Sequence, residues 1–217
     1  MAVRLRSEGL LCRSHIGAVC PRSIDNVTDD NRVRFLIGER LYLRPLEKED
    51  LAHIRHWAND AEIRQLTGEV MPMSQASADE FLEKVRTDHE RVWFVIVLKE
   101  GDRVIGETGL LRIFWPWRAT DLSIIIGDKE AWGRGYGSEA IRLLLDYAFG
   151  YLNMHRVALG VVGFNQRALR FYEKVGFKQE GIQRDGYYHG HAYHDFVMMG
   201  ILEDDFRAMQ QREEKGS

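Results

Sequence analysis

Cysteine is nearly missing: the 217 residues contain two, Cys12 and Cys20, both early in the chain. Two thiols make neither a disulfide scaffold nor, alone, a four-ligand zinc site, and no apolar secretory stretch precedes them. A reducing cytoplasm is the expected setting. No run approaches the roughly 20 apolar residues that a bilayer-spanning helix needs, so no membrane span is expected. An excess of one charge is lacking too. With 30 Lys and Arg against 33 Asp and Glu, the formal balance of -3 gives no general pull toward nucleic acid. What is there is ordinary for one soluble domain, 45% hydrophobic and 29% charged, with no internal repeat.

The start of the chain reads differently from the rest. Arg4, Arg6, Arg13 and Arg22 stand against Glu8 alone, without sustained periodicity, before the polar run 25–32. Residues 1–36 are therefore expected to form an appendage: a transit segment, a misassigned start or a flexible arm. A domain over 37–206 and a charged tail over 207–217 complete the expected organisation.

Within the domain, residues 40–44 alternate like a half-buried strand, and 48–58 place Leu51, Ile54 and Ala58 on one helical face. Ser77 with Glu80 predicts a capped helix start, with Phe81, Leu82 and Val85 inward. Residues 92–99, 104–113 and 119–126 predict three strands joined as an antiparallel meander. A helix over 137–150 follows, carrying an apolar stripe of Ile141, Leu144, Leu145, Ala148 and Phe149. A strand over 156–162, a short helix over 166–174 and a strand pair within 177–202 close the domain.

The chemistry concentrates between the fourth strand and the long helix, in Trp132-Gly133-Arg134-Gly135-Tyr136-Gly137-Ser138-Glu139-Ala140. Glycines there let an anion approach the backbone, and a helix N-terminus presents free amides and the positive end of its dipole. A triphosphate-hydrolysing loop requires Gly-Lys-Ser/Thr after its glycines, which is absent. Gly135 to Ala140 does spell the dinucleotide fingerprint G-x-G-x-x-G/A. However, the next strand supplies no acid for a ribose, and four strands precede the loop. Glycines serving only a turn and close helix packing are the bland alternative. Further on, Asn165, Ala168 and Tyr172 share one helical face; Asn165 is equally a good N-cap and Tyr172 an ordinary amphipathic core residue.

Over residues 40–202 these motifs resemble the GCN5-related N-acetyltransferase (GNAT) family, in the branch that includes ribosomal-protein N-terminal acetyltransferases and spermidine acetyltransferases. The family loop Q/R-x-x-G-x-G/A is similar to Trp132-Gly133-Arg134-Gly135-Tyr136-Gly137, with Trp132 replacing Gln or Arg. A second family motif is similar to the run from Asn165 through Ala168, Tyr172 and Gly176 to Phe177. The resemblance implies an α/β (α+β) acyl-CoA N-acyltransferase fold, a mixed, mostly antiparallel sheet flanked by helices and splayed between the fourth strand (119–126) and the fifth (156–162). It implies acetyl-CoA as cosubstrate, its diphosphate held by Gly133, Arg134, Gly135, Tyr136, Gly137 and Ser138. Asn165 would contact the pantetheine arm. Backbone groups freed near Ile124, Ile125 and Ile126 would pair with that arm like an added strand, one of them polarising the thioester. Tyr172 would place its hydroxyl near the sulfur. A homodimer or higher homo-oligomer is also implied.

Acetyl transfer to an amine requires the amine neutral. With a pKa of about 10.4, about one lysine-like amine in 2,500 is neutral at pH 7, a cost of about 4.6 kcal/mol. Asp121 matches the place where the family often carries an acid, and Glu107 on the preceding strand is the alternative base. Either acid is equally able to pair with Arg112 or Arg118 and serve structure alone. Direct attack is expected, because neither cysteine lies in a catalytic motif and no Ser-His-Asp arrangement is evident. The acceptor is open: a protein N-terminus, a polyamine or another small amine. A noncatalytic CoA-binding module and a dinucleotide-dependent oxidoreductase are the rival readings.

Other signals are weaker. His189, His191, His194 and Asp195 are read as exposed or fold-supporting, with no metal expected. Phe114-Trp115-Pro116-Trp117 suits an acceptor pocket, a dimer interface or packing, and Asp60, Glu62 and Glu69 suit either attraction of a cation or a solvated helix end.

Overall fold

A computed structural model describes residues 33–216 of the chain. The expected appendage therefore lies mostly outside the described residues, and its expected boundary after residue 36 falls inside the first strand. Eight strands form one sheet: β1 (Leu36–Ile37), β2 (Leu41–Pro45), β3 (Val92–Leu98), β4 (Val104–Phe114), β5 (Ala119–Ile126), β6 (Arg156–Val162), β7 (Lys178–His189) and β8 (Ala192–Leu202). Their spatial order is β1-β2-β3-β4-β5-β6-β8-β7. Every pairing is antiparallel except β5 with β6. That parallel pair is what a helical crossover requires, and α4 (Tyr136–Gly150) supplies it. Among the described residues no helix is long and apolar enough to cross a membrane.

Strand alternation divides the core between two faces. Leu41, Leu43, Phe94 and Ile96 join the buried stripe of α4, together with α5 (Gln166–Val175) and α6 (Glu203–Gly216). Tyr42, Val95 and Val97 face the other way, against Ile54 of α1 (Leu51–Asn59) and Phe81, Leu82 and Val85 of α3 (Gln75–Thr87).

Three boundaries differ from expectation. A separate helix α2 (Ala61–Thr67) follows α1, started by Asp60, whose carboxylate accepts the Glu62 and Ile63 amides. The N-cap of α3 is Ser74, its hydroxyl oxygen accepting the Ser77 amide at 3.1 Å, so the helix starts earlier than the Ser77 cap predicts. The charged C-terminal stretch is no tail from residue 207, since α6 continues to Gly216. It is held by fully buried Phe206 against Phe149 at 5.5 Å and by Arg207 donating to Asp146 at 2.8 Å.

The feature that positions the site is a failure of pairing. β5 and β6 are in register only at Ala119–Arg156, Thr120–Val157 and Asp121–Ala158. Beyond that, β5 pairs only with β4 and β6 only with β8. The sheet thus opens toward the C-terminal ends of both strands, where α4 and α5 begin.

At that end Trp57 of α1 lies on Gly127, where an added Cβ would sit 2.0 Å from Cδ2 of the indole. Both residues are buried. Gly127→Ala is expected to destabilise the fold by about 1–3 kcal/mol through overpacking, read as a lowered urea midpoint at unchanged slope.

Candidate active site

The glycine loop is shaped by backbone that other residues resist. Gly133 and Gly135 adopt φ of +73° and +81°, and α4 starts at the next residue, Tyr136. As first-turn residues, Tyr136, Gly137 and Ser138 have amides with no carbonyl partner among the described residues. Glu139, in the same turn, would repel an anion, but Arg40 claims it. The Arg40 amide and Nε donate to its carboxylate at 2.8 and 2.9 Å. Arg40 also donates to the Arg134 carbonyl at 2.9 Å and stacks 4.8 Å from the Tyr136 ring centre. The loop is therefore braced from outside, while the Arg134 side chain has no carboxylate partner among the described residues. Nothing in residues 132–140 alone signals this brace, which comes from the distant residue just before β2.

Trp132 does more than fill the loop. Its indole N–H donates to the Ile126 carbonyl at 2.7 Å. One backbone group expected to be free at the end of β5 is thus taken; Ile125, opposite Glu107 in the register that carries the Gly127 amide to the Ile105 carbonyl, turns its backbone to β4, so the cleft-facing edge that stays open is at Ile124. Ile124 and Ile126 pack toward α4, so Ile125 points to the opposite face.

At the other wall Asn165 caps α5, its side-chain oxygen accepting the Ala168 amide at 3.0 Å and its Nδ2 donating to the Leu66 carbonyl at 3.3 Å. Asn165 therefore ties α5 to α2, the structural role its residue type suggested. Tyr172, one face down the same helix, packs edge-on against Phe171 and Phe177, and its hydroxyl donates to no described residue. Burial holds its phenol well above the ordinary tyrosine range, so it stays protonated at working pH.

The two acids part company. Asp121 sits at the last paired position of β5 and β6, and its carboxylate accepts Arg112 Nε at 2.5 Å. Glu107 pairs across β4 with both Val95 and Ile125, which places it beside the open part of β5 on the α1–α3 face. It is 6% exposed and accepts the Trp93 indole N–H at 2.8 Å. Desolvation raises its pKa to about 7, against a smaller lowering by the indole hydrogen bond.

The remaining candidates lie elsewhere. Asp60 and Glu62 are both bound by Lys129 Nζ at 2.9 Å, which offsets one of their two charges, while Glu69 is exposed. Phe114, Trp115 and Trp117 are exposed at the β4–β5 turn, at the opposite end of β5 from the cleft mouth. His189 and His194 pack around Phe164, and Asp195 accepts the Asp185 amide at 3.1 Å.

A parting in the sheet with free amides at its mouth fits an extended thiol cofactor ending in phosphates. Residues 40–178 match the acetyltransferase (GNAT) domain family. The chain is 31% identical over 178 residues to a probable N-acetyltransferase, YjcK, of Bacillus subtilis, covering 78% of this chain and 98% of that protein. In structure it is similar to spermidine N-acetyltransferase from Vibrio cholerae in complex with CoA and spermine, at a TM-score of 0.73 and 30% identity, covering 77% of this chain and 98% of that one. A dodecameric structure of that enzyme in an intermediate state aligns at a TM-score of 0.66 and 30% identity, over 77% of this chain and 96% of that one. The chain belongs to the GNAT family and is an acetyl-CoA-dependent N-acetyltransferase. The dinucleotide and noncatalytic readings are set aside with it.

The backbone at Gly135 supplies the first test. Gly135→Asp puts a Cβ at positive φ and a carboxylate among the amides, in a place where the nearest atom to that Cβ is Arg40 Nη2 at 3.4 Å. The variant is expected to stay folded by circular dichroism while its CoA affinity falls about tenfold or more in calorimetry, through charge repulsion and lost amide contacts. Unchanged affinity in a folded variant would contradict the loop's role.

Proposed function

We propose that this enzyme moves the acetyl group of acetyl-CoA directly onto a primary amine of a small cationic molecule of the polyamine type. The observation that carries this is the unpaired stretch of β5 and β6 beyond Asp121 and Ala158, with free amides of α4 at its mouth. The similarity to an enzyme crystallised with CoA and spermine supports the acceptor class.

Bound in the cleft, the cofactor supplies an activated acetyl thioester. The amides of Tyr136, Gly137 and Ser138, with Gly133, Arg134 and Gly135, would hold its diphosphate, and the open β5 edge at Ile124 would pair with its pantetheine arm. Asn165 acts by fixing the start of α5 that flanks this arm. Tyr172, kept protonated by burial, gives its proton to the departing thiolate.

Glu107 takes the proton from the amine, in preference to Asp121. Asp121 is already committed to Arg112. A base of pKa about 7 also stands closer to an ammonium of about 10.4 than an ordinary carboxylate does. The difference lowers the uphill proton transfer by about 3 kcal/mol. Glu107 must be ionised to act, so the rate rises with pH through about 7. The buried carboxyl has the opposite effect on stability. Between its ordinary 4.5 and about 7 the native state keeps a proton that the unfolded chain releases, so stability falls as pH rises across that window.

The test is thiol release from acetyl-CoA with spermidine, spermine, monoamines and a peptide with a free N-terminus. Polyamines should give the highest kcat/KM; exclusive turnover of the peptide would overturn the acceptor class. Tyr172→Phe and Glu107→Gln should each lower kcat by about 100-fold or more. Glu107→Gln should also abolish the rise of rate near pH 7 and flatten the stability–pH slope in urea titrations. An unaltered pH–rate profile in Glu107→Gln would remove it as the base.

The comparison with a dodecameric relative supports a homo-oligomer, for which light scattering of the purified protein is the check; a monomer at assay concentration would contradict it. Placement in the cytoplasm rests on the scarcity of cysteine alone, and export of the intact protein in a cell-fractionation experiment would contradict it.

A further inference from the structure

The residue that departs from the family loop pattern creates a contact of its own. Trp132 has its indole plane fixed at one edge by the 2.7 Å hydrogen bond to the Ile126 carbonyl. On the face of that ring lies the guanidinium of Arg167, 5.0 Å from the centroid. Ile126 ends β5, one wall of the cleft, and Arg167 stands in the first turn of α5, beside the other wall. The pair therefore spans the mouth next to the glycine loop. Close packing holds the two helix starts together at the same place, where a Cβ on Gly137 would meet Phe171 at 3.3 Å.

The charge balance around the mouth is uneven. The nearby acids are bound by cations: Glu139 by Arg40 at 2.9 Å, and Asp128 and Glu130 together by Arg103 at 3.0 Å. Arg167 has no carboxylate partner among the described residues, only the indole face. A cation–π stack orients a guanidinium without neutralising it, leaving its N–H fork free for an anion. An oriented, unneutralised guanidinium beside the amides of a helix N-terminus is suited to a phosphate.

We propose that Arg167, held on the face of Trp132, is a ligand for the diphosphate of the bound cofactor, closing the cleft mouth from the α5 side. This rests on the reading that the cleft holds acetyl-CoA. It assigns Trp132 a positioning role: the indole replaces a polar loop side chain and delivers a guanidinium from another helix in its stead.

The experiment measures dissociation constants by calorimetry for CoA, dephospho-CoA and pantetheine on the full chain, wild type, Arg167→Gln, Arg167→Lys, Trp132→Leu and the Arg167→Gln/Trp132→Leu double variant. Arg167→Gln should weaken CoA and dephospho-CoA by a similar factor of about ten or more and leave pantetheine unchanged. Arg167→Lys should fall between, since an ammonium keeps the charge but loses the planar fork. In the Trp132→Leu background the Arg167→Gln penalty should shrink, because the guanidinium is no longer aimed. A penalty equal for pantetheine would show a structural role only, and one confined to CoA over dephospho-CoA would put Arg167 on the 3′-phosphate; either overturns the assignment. Should wild type bind no CoA, the acetyltransferase reading falls with it. Should wild type bind CoA and Arg167→Gln match it, this inference alone falls.

Discussion

The structure turns on an incomplete ladder. β5 and β6 bond through Asp121 and Ala158 and then part, leaving edges of both strands without each other's N–H and C=O groups. Interior backbone groups left unpaired are costly, so a stable fold leaves such an edge only where water or a ligand completes it. The closed end is anchored by the His155 amide donating to the Arg118 carbonyl at 2.6 Å. The open end is fixed by topology, since a parallel pair joined through α4 brings that helix's N-terminus to the point where the strands diverge.

Electrostatics then assigns different work to the two faces. At the mouth, Glu139 and Asp128, which would oppose an anion, are bound by Arg40 and Arg103 from elsewhere in the chain. On the α1–α3 face, Glu107 is kept from water by Trp93 and the α3 packing that covers it, the rings of Trp93 and Phe81 meeting edge-on at 5.3 Å. The same desolvation that makes Glu107 a costly core residue is the ground for proposing it as the proton acceptor. Tyr172, packed on the α4 side, is the donor proposed to complement it.

Much of this was legible in the chain. Period-two alternation located the meander, the apolar stripe located α4, and two motifs located the loop and α5. What escaped is what depends on distant contacts. The helix α2 has one buried residue, Ile63, and so no readable stripe. The ranking of Asp121 over Glu107 followed position along the strand. The contacts on which the proposal prefers Glu107, Arg112 beside one acid and Trp93 sealing the other, are cross-strand neighbours that spacing does not reveal. Trp132 was legible as a departure from a pattern, while its partners Ile126 and Arg167 are set only by folding.

If the parted edge of β5 and the first turn of α4 take up the cofactor together, its binding must protect the backbone groups of both. Amide hydrogen exchange with and without CoA reads those backbone groups directly. Slowed exchange is expected in peptides covering 122–126 and 135–139 at saturating CoA, with the β2–β3 pairing unaffected. CoA binding with exchange unchanged in both segments, or slowed only in the sheet distant from the cleft, would contradict it.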